Sequence, residues 1–429
     1  MTRRTETLLV GLASLIAAGG TALVTATTRG TIGFDVVAAG VTHLAAFGGM
    51  LAAFRRWAPA TSRLLLPLVA LITAVGAVEV FRIDADLGRT QRWWLLFAGL
   101  IGMLTIWLLR RRGIEALRRF RYLFLLGALA LLLMPLLPSR LPVGGATVNG
   151  SRLWVRLAIG DRAISFQPGE GAKVLIVIFL ASYLADRRRA LAEMPRTLGS
   201  LRLPEPRQLL PVLLAFALAF LVLVYQRDLG ASLLLFIVFV ALLYAATGRA
   251  TYLVAGGLLA GAGAVAAANA FSHVAVRVAG WLHPFSDYSG SGYQVAQGVF
   301  ALAEAGLVGT GLGNGSPWLI PAAATDYVFI AIVEETGLAG GLALLAAYAL
   351  LVTVGFGIAL RAGDAFRSLL AAGLTIALGV QTLLIVGGVL RLLPLTGITL
   401  PFVSYGGSSL LANFVLVALL ARVAHEERT

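Results

Sequence analysis

The side chains best suited to chemistry fall between Arg277 and Glu335, a stretch carrying Asp287, Asp326, Glu334 and Glu335 with aromatics and amides between them. Asp287 sits in WLHPFSDYSGSGYQ, where glycines permit close backbone approach. The aromatics at 281, 285, 288 and 293 suit a membrane interface or the face of a sugar. A lone aspartate in a Gly/Ser loop reads first as a turn residue. Asp287, however, is a carboxylate with no arginine or lysine beside it in the sequence, among loops that each bring polar groups to the same side. Such a group, desolvated, can serve as a general base.

Three other segments bring ionisable or hydroxyl groups to membrane depth. In FQPGEGAKV, Pro168 suits a helix start, and the i,i+3 spacing puts Glu170 and Lys173 on one helical face. The pair reads either as self-neutralising or as the lining of a polar cavity. QRDLGAS places Arg227 and Asp228 at the end of a helical hairpin. LLPLTGITLPFVSYGGSS follows Arg391 with a proline- and glycine-broken segment holding Ser404, Tyr405, Ser408 and Ser409. Broken backbone at that depth is tolerated where it lines a cavity, although a tight structural turn is the competing reading. A charge within a span costs roughly 2.5–3.5 kcal/mol on insertion scales, which makes these groups functional candidates by default.

The elements that position these residues are membrane helices. The 429 residues are 59% hydrophobic and 13% charged, with mean hydropathy +0.90, against about 25% charged in a soluble domain. The fold class expected is therefore an all-α polytopic membrane protein with about twelve spans. They are placed at 7–27, 33–54, 63–81, 93–110, 118–138, 171–186, 208–225, 231–247, 251–271, 327–353, 368–390 and 408–424. The first is read as an uncleaved helix, because its apolar run exceeds a signal-peptide core and leads straight into another span.

Of 34 basic residues one is lysine, Lys173, leaving 33 arginines. With the N-terminus cytoplasmic, 22 of these fall on inner loops and 11 on outer ones, satisfying the positive-inside rule. Both termini are then cytoplasmic, and the loop 272–326 lies outside with 139–170, 226–230 and 391–407. The net charge of +14 thus reads as topology and contact with membrane lipids, not as nucleic-acid binding. The absence of cysteine excludes thiolate chemistry, and four histidines without HExxH spacing argue against a zinc hydrolase.

FQPGEGAK, RDLGAS, RVAGWLHPFSDYSGSGYQ, TDYVFIAIVEETG and LPLTGITLPFVSYGGSSLLAN occur in an order that resembles the signature blocks of the SEDS family (shape, elongation, division and sporulation). These are the RodA/FtsW-type peptidoglycan glycosyltransferases, and the spacing from Arg277 to Asp287 is nearer to the RodA pattern. The resemblance runs from about residue 63 to 425. It implies a ten-span core, here 58–429, with 1–57 as two added helices and 272–326 as the catalytic loop. It also implies lipid II, a disaccharide-peptide on undecaprenyl diphosphate, as substrate in the outer leaflet of the bacterial cytoplasmic membrane. The implied product is a β-1,4 glycan strand, and the implied partner a class B penicillin-binding protein.

On this resemblance Asp287 falls where the family has its catalytic aspartate. Glu170 and Lys173 fall on its cavity pair, and Asp228 and Arg277 on further polar positions. Tyr293, Gln294, Asp326, Glu335, Arg391 and Ser404, in or beside the blocks, complete the expected substrate-binding set. The sequence departs from the family pattern at Gly169, Gly171, Tyr288, Gly298 and the alanines before Thr325. The expected mechanism has Asp287 take the proton of the acceptor 4-hydroxyl, with inversion at the donor. Lys173 and Arg277 meet the departing diphosphate, which can carry a divalent cation, Mg or Mn. No organic cofactor is expected. The rival readings are a flippase for the lipid-linked precursor and a non-catalytic scaffold. The role in elongation is favoured over division by the short cytoplasmic tails.

Overall fold

The computed structural model describes residues 1–31, 33–141, 143–148, 151–159, 162–193, 196–198, 201–203, 206–290 and 292–427. In chain order the helices are α1 (Arg3–Arg29), α2 (Phe34–Trp57), α3 (Leu65–Ile83), α4 (Ala85–Arg112), α5 (Glu115–Arg119) and α6 (Arg121–Leu133). After the first sheet come α7 (Pro168–Glu193), α8 (Pro206–Tyr225), α9 (Leu229–Thr247), α10 (Ala250–Ala270), α11 (Ser272–Leu282) and α12 (Tyr293–Ala305). The series ends with α13 (Val328–Arg361), α14 (Ala365–Val389) and α15 (Gly407–Glu426).

The chain is thus the polytopic α-helical protein its composition predicts. Among the described residues ten helices are long and apolar enough to cross a membrane. Two further apolar helices, Arg121–Leu136 and Leu209–Tyr225, are shorter, so the expected count of twelve is not reached by this measure. The physical reason lies in the chain itself. The fifth apolar stretch is cut at Phe120, where α5 ends and α6 begins, and the seventh carries Pro211 in its first turns.

Two loops hold more structure than their composition announces. The stretch after α6 forms a three-stranded antiparallel sheet, β1 (Val143–Val148), β2 (Ser151–Ile159) and β3 (Arg162–Phe166), in the order β1-β2-β3. Its strand β2, RLWVRL, alternates strictly, so Leu153, Val155 and Leu157 take one face and Arg152, Trp154 and Arg156 the other. A second, two-stranded sheet pairs β4 (Arg196–Leu198) with β5 (Leu201–Leu203). The region 272–326, expected as an outer-face loop, contains α11 and α12. In α11 the valines alternate (Val274, Val276 and Val278), the period of a strand, so apolar spacing did not announce that helix.

The chain folds as two compact units. The first comprises Met1–Trp107, Gly261–Val354 and Gln381–Ala421. Here His43 of α2 is buried between α1 and α3, within 3.0 Å of both the Ser14 hydroxyl and the Ala70 carbonyl. Asp35 at the start of α2 pairs with Arg89 and Arg92 of α4, each at 2.9 Å. Val24 of α1 packs with Val78 and Phe81 of α3, and Leu312 from the loop after α12 closes the cluster.

The second unit comprises Leu108–Ala260, Gly355–Val380 and Arg422–Thr429. It is built around α7, whose Val174, Val177, Ile178, Phe179 and Leu180 are buried. Arg118 and Arg121 both pair with Asp186 of α7, the former at 2.7 Å. The Glu426 carboxylate accepts the Ile114 amide at 3.0 Å and the Arg422 guanidinium at 2.7 Å.

Candidate active site

The first unit holds eight of the eleven candidate residues, and its backbone is organised by a break in α13. Gly337 has φ 71° and ψ −177°, where a Cβ would lie 2.3 Å from the Leu307 carbonyl oxygen, so only glycine fits. The break frees the Glu334 and Glu335 carbonyls from the amides they would meet in a continuous helix. They accept instead from Thr310 and Gly311, each at 3.0 Å. Those two amides' places are exchanged: Leu338 and Ala339 donate to the Gly306 and Leu307 carbonyls, each at 3.1 Å. Four hydrogen bonds thus stitch the glycine-rich loop after α12 onto the broken helix.

Side chains complete the seam. Glu335 accepts from the amides of Gly313 (2.8 Å) and Gly315 (3.2 Å), and Glu334 accepts from Ser316 (2.7 Å). Arg82 of α3 donates to Glu335 at 2.9 Å and to the carbonyls of Gly313 and Gly315. Both ion-pair side chains are buried, at 7% and 0% exposure. Glu335 is therefore engaged wholly with the protein. Its contacts hold a loop rather than face an open surface.

Beside this seam, the broken segment between α14 and α15 is held from several directions. The Ser404 hydroxyl donates to the Thr325 carbonyl at 2.5 Å and accepts from the Leu400 amide at 2.8 Å. The Tyr405 amide donates to the Ala324 carbonyl at 2.8 Å. Arg391, at φ 60°, donates to the Trp281 carbonyl, while the Trp281 indole donates back to the Arg391 carbonyl at 2.9 Å. Arg277 of α11 donates to the Thr396 carbonyl at 3.1 Å. Its guanidinium and the Asp326 carboxylate both lie close to Gly397.

Burial raises the Asp326 pKa above the usual carboxylate range, opposed by hydrogen bonding to Thr325 and by the Arg277 charge. Burial likewise raises the neighbouring Tyr327 and Tyr405 phenols. The Tyr327 hydroxyl, the Thr396 hydroxyl and the Arg391 Nε are buried polar atoms without a hydrogen-bond partner. Groups of this kind mark a place where a polar ligand or water is accommodated.

Asp287 lies on an exposed turn between α11 and α12. Its carbonyl accepts from the amides of Gly290 and Gly292, each at 3.1 Å. Its carboxylate overlies Gly290, where a Cβ would sit 2.5 Å from both oxygens. An aromatic group frames the turn: Tyr288 stacks edge-on against Tyr293 (5.8 Å) and Phe300 (6.2 Å), and Phe285 approaches Phe300 at 5.9 Å. The Tyr288 hydroxyl accepts from Gln297 at 3.0 Å, and Gln294 donates to the Pro321 carbonyl at 2.8 Å.

In the second unit, α7 begins at Pro168 and places Glu170 in its first turn. The Lys173 ammonium donates to Glu170 at 2.9 Å, with the side chains 6% and 12% exposed. Asp228 caps α9 by accepting from the Ala231 amide at 2.9 Å. It is buried, and its own carbonyl accepts from Ser232.

The structure thus brings Arg277 and Asp326 together, and ties Ser404 and Arg391 into the same broken segment. Tyr293 joins the aromatic frame around Asp287. Sequence reasoning passed over Arg82, although one signal was present: an arginine closing an apolar span three residues after Glu79 has no place in lipid without a partner. Among the described residues no group of three or more His, Asp or Glu side chains is disposed to hold a metal.

The chain is thus a polytopic helical membrane protein whose first unit carries an exposed carboxylate on an aromatic-framed turn and a glycine loop locked to a broken helix. The family profile described as "Cell cycle protein" (FtsW/RodA/SpoVE) matches residues 57–429. The chain belongs to this family. It is 39% identical to the peptidoglycan glycosyltransferase RodA of Mycobacterium tuberculosis over 437 residues, covering 99% of this chain and 91% of the relative. The stage V sporulation protein E of Bacillus subtilis is 31% identical and covers 85% of the chain. Among solved structures, the chain resembles one from a study of polymerization and crosslinking by a peptidoglycan synthase complex. That match has a TM-score of 0.67 and 26% identity, over 86% of this chain and 98% of the other. Thermus thermophilus RodA aligns with a TM-score of 0.55 and 25% identity, over 86% and 98%.

Proposed function

We propose that this chain is a peptidoglycan glycosyltransferase of the RodA type, polymerising lipid II into β-1,4 glycan strands at the outer face of the cytoplasmic membrane. The observation that carries the proposal is the 39% identity to a mycobacterial RodA across 99% of the chain. The match to an FtsW protein is 34% identical and covers 76%, which favours the elongation role. The N-terminal helices α1 and α2, which precede the matched family profile, are an accessory pair on the catalytic core. The termini are cytoplasmic, and the loops carrying Asp287 and the first sheet face outward, a reading the arginine distribution supports.

In the proposed reaction the Asp287 carboxylate accepts the proton of the acceptor sugar's 4-hydroxyl. The oxygen attacks the anomeric carbon of the lipid-linked donor, the C–O bond to the diphosphate breaks, and the configuration inverts. The turn leaves Asp287 exposed, not desolvated as the sequence suggested, so its carboxylate is open to an acceptor sugar, whose ring can meet the aromatics that frame the turn. The leaving diphosphate gains charge, and cations aimed at it lower the barrier. Arg277 is the candidate in the first unit. In the second, the Lys173 ammonium is suited to a phosphate by chemistry, with Glu170 fixing its position. Asp326, Tyr293, Gln294, Arg391 and Ser404 position substrate directly or through the broken segment, and Glu335 acts through the glycine loop. A divalent cation, Mg or Mn, would arrive on the diphosphate. The partner is a class B penicillin-binding protein, in keeping with the synthase complex to which the fold is similar.

The test is polymer formation by the detergent-purified chain, with its co-purified transpeptidase, from lipid II. Polymerisation needs no second compartment. A muramidase-sensitive ladder supports the enzyme, whereas lipid II flipping in vesicles without any ladder in detergent would support the transport reading instead.

A further inference from the structure

The first sheet carries a feature that the proposed reaction does not use. Arg152, Trp154 and Arg156 alternate along β2 and so share one face, backed by buried Val155 on the other. With Ser139, Gly144, Gly145, Ala146, Thr147 and Ser165 they line a groove. Register fixes the walls: Gly144 lies opposite Arg156, Ala146 opposite Trp154, and Ser165 opposite Arg156 on the far side. Gly144 and Gly145 let the preceding chain pack close against β1, since a Cβ would lie 2.7 Å from the Pro138 carbonyl oxygen at the first and 1.9 Å from that of Pro135 at the second. No acidic side chain among the described residues lines the groove. Among the described residues neither arginine has a carboxylate within ion-pair distance. Arg152 donates to the Leu137 carbonyl at 2.9 Å, and its buried Nε has no partner.

Two guanidiniums flank an indole, and their Cα atoms are four strand residues apart, roughly 13 Å. That spacing suits an extended ligand with separated negative charges better than one compact anion. Guanidiniums bind carboxylates in bidentate fashion, the indole offers an apolar face to a sugar ring, and the Ser and Thr hydroxyls match sugar hydroxyls. An acyl chain would need exposed aliphatic walls, which the groove residues do not provide.

We propose that this groove is a subsite for an anionic glycan, a sugar strand bearing peptide carboxylates, held away from the reacting centre. The ligand class deepens the polymerase reading and rests on it, since such a strand is that reaction's product. Binding is nevertheless measured without catalysis, so the two readings fail separately.

The experiment uses the full chain in nanodiscs of zwitterionic lipid. The ligands are soluble uncrosslinked glycan strands bearing peptide carboxylates and, in parallel, neutral chitooligosaccharide of equal length. Arg156→Gln is the principal variant, because Arg156 is exposed and its side chain makes no hydrogen bond among the described residues; Arg156→Lys and Trp154→Leu accompany it. Loss of a charge-assisted contact should weaken anionic strand binding by about tenfold or more. Arg156→Lys should recover part of it, and Trp154→Leu should weaken both sugars. Neutral oligosaccharide should be unaffected by Arg156→Gln. Wild-type affinity for the anionic strand in Arg156→Gln and Trp154→Leu alike would overturn the proposal. So would variants that lose only attachment to phosphatidylglycerol vesicles, which would make the groove a lipid contact. Strand binding by a chain that makes no polymer would refute the polymerase reading and leave the subsite standing.

Discussion

Replacing Arg82 with methionine keeps the aliphatic stem and removes the cation shared by a buried acidic group. Arg82 and Glu335 are 2.9 Å apart and essentially without solvent contact. Glu79 and Glu334, each 2% exposed, lie within electrostatic reach of the same pair. Breaking a buried ion pair costs about 3–5 kcal/mol, because the surviving charge stays buried and uncompensated. The two ends of the pair are not equivalent. Arg82→Met leaves Glu335 beside two further acids and strips the Gly313 and Gly315 carbonyls of their donor. Glu335→Gln leaves a guanidinium that retains both carbonyls and two neighbouring carboxylates. Arg82→Met should therefore reach the upper end of that range and Glu335→Gln its lower end. At roughly 2–4 °C per kcal/mol for a unit of this size, midpoints should fall by about 10–20 °C and about 6–12 °C. Joint replacement, Arg82→Met with Glu335→Leu, should unfold above Arg82→Met, since apolar residues can substitute for a buried pair. Thermal unfolding of detergent-purified protein by far-ultraviolet circular dichroism reads all three. Glu335→Gln falling further than Arg82→Met would refute the assignment of Arg82 as the shared cation, as would wild-type midpoints for both.

Gly298→Ser should cost about 1–3 kcal/mol, because a Cβ at Gly298 would lie 2.7 Å from the buried Tyr327 ring. Tyr327→Ala in the same chain should relieve part of that loss, and thermal midpoints measure both. The raised Asp326 pKa gives a pH signature. The folded state holds the proton more tightly than the unfolded one, so this group's contribution favours folding below the unfolded pKa and is lost as pH rises through the folded value. Asp326→Asn should therefore flatten the fall in stability above about pH 4. A fall as steep as in wild type would contradict it.

Much of the architecture is written in hydropathy. The arginine clusters and apolar runs outline the bundle, and Pro168 announces the start of α7 with Glu170 and Lys173 one turn apart. The first sheet escaped because its alternation spans only a few residues between glycines, where a loop is the simpler reading. The seam between Gly306–Gly311 and the α13 break escaped for another reason. It rests on backbone carbonyls freed by the positive φ of Gly337, and no side-chain spacing reports that exchange. Glu335 illustrates the consequence. Its chemistry marked it as a site residue, while its partners are loop amides and an arginine 253 positions earlier.

The central claim is that Asp287 acts as the base. Removing a general base lowers rates by about 10²–10⁴-fold, and Asp287 is exposed, so asparagine there should leave folding intact. Wild type and Asp287→Asn, each purified with the transpeptidase partner, are compared for glycan ladder synthesis from lipid II at matched thermal midpoints. Polymerisation by Asp287→Asn should fall at least about a hundredfold. Ladder synthesis at the wild-type rate would contradict the account.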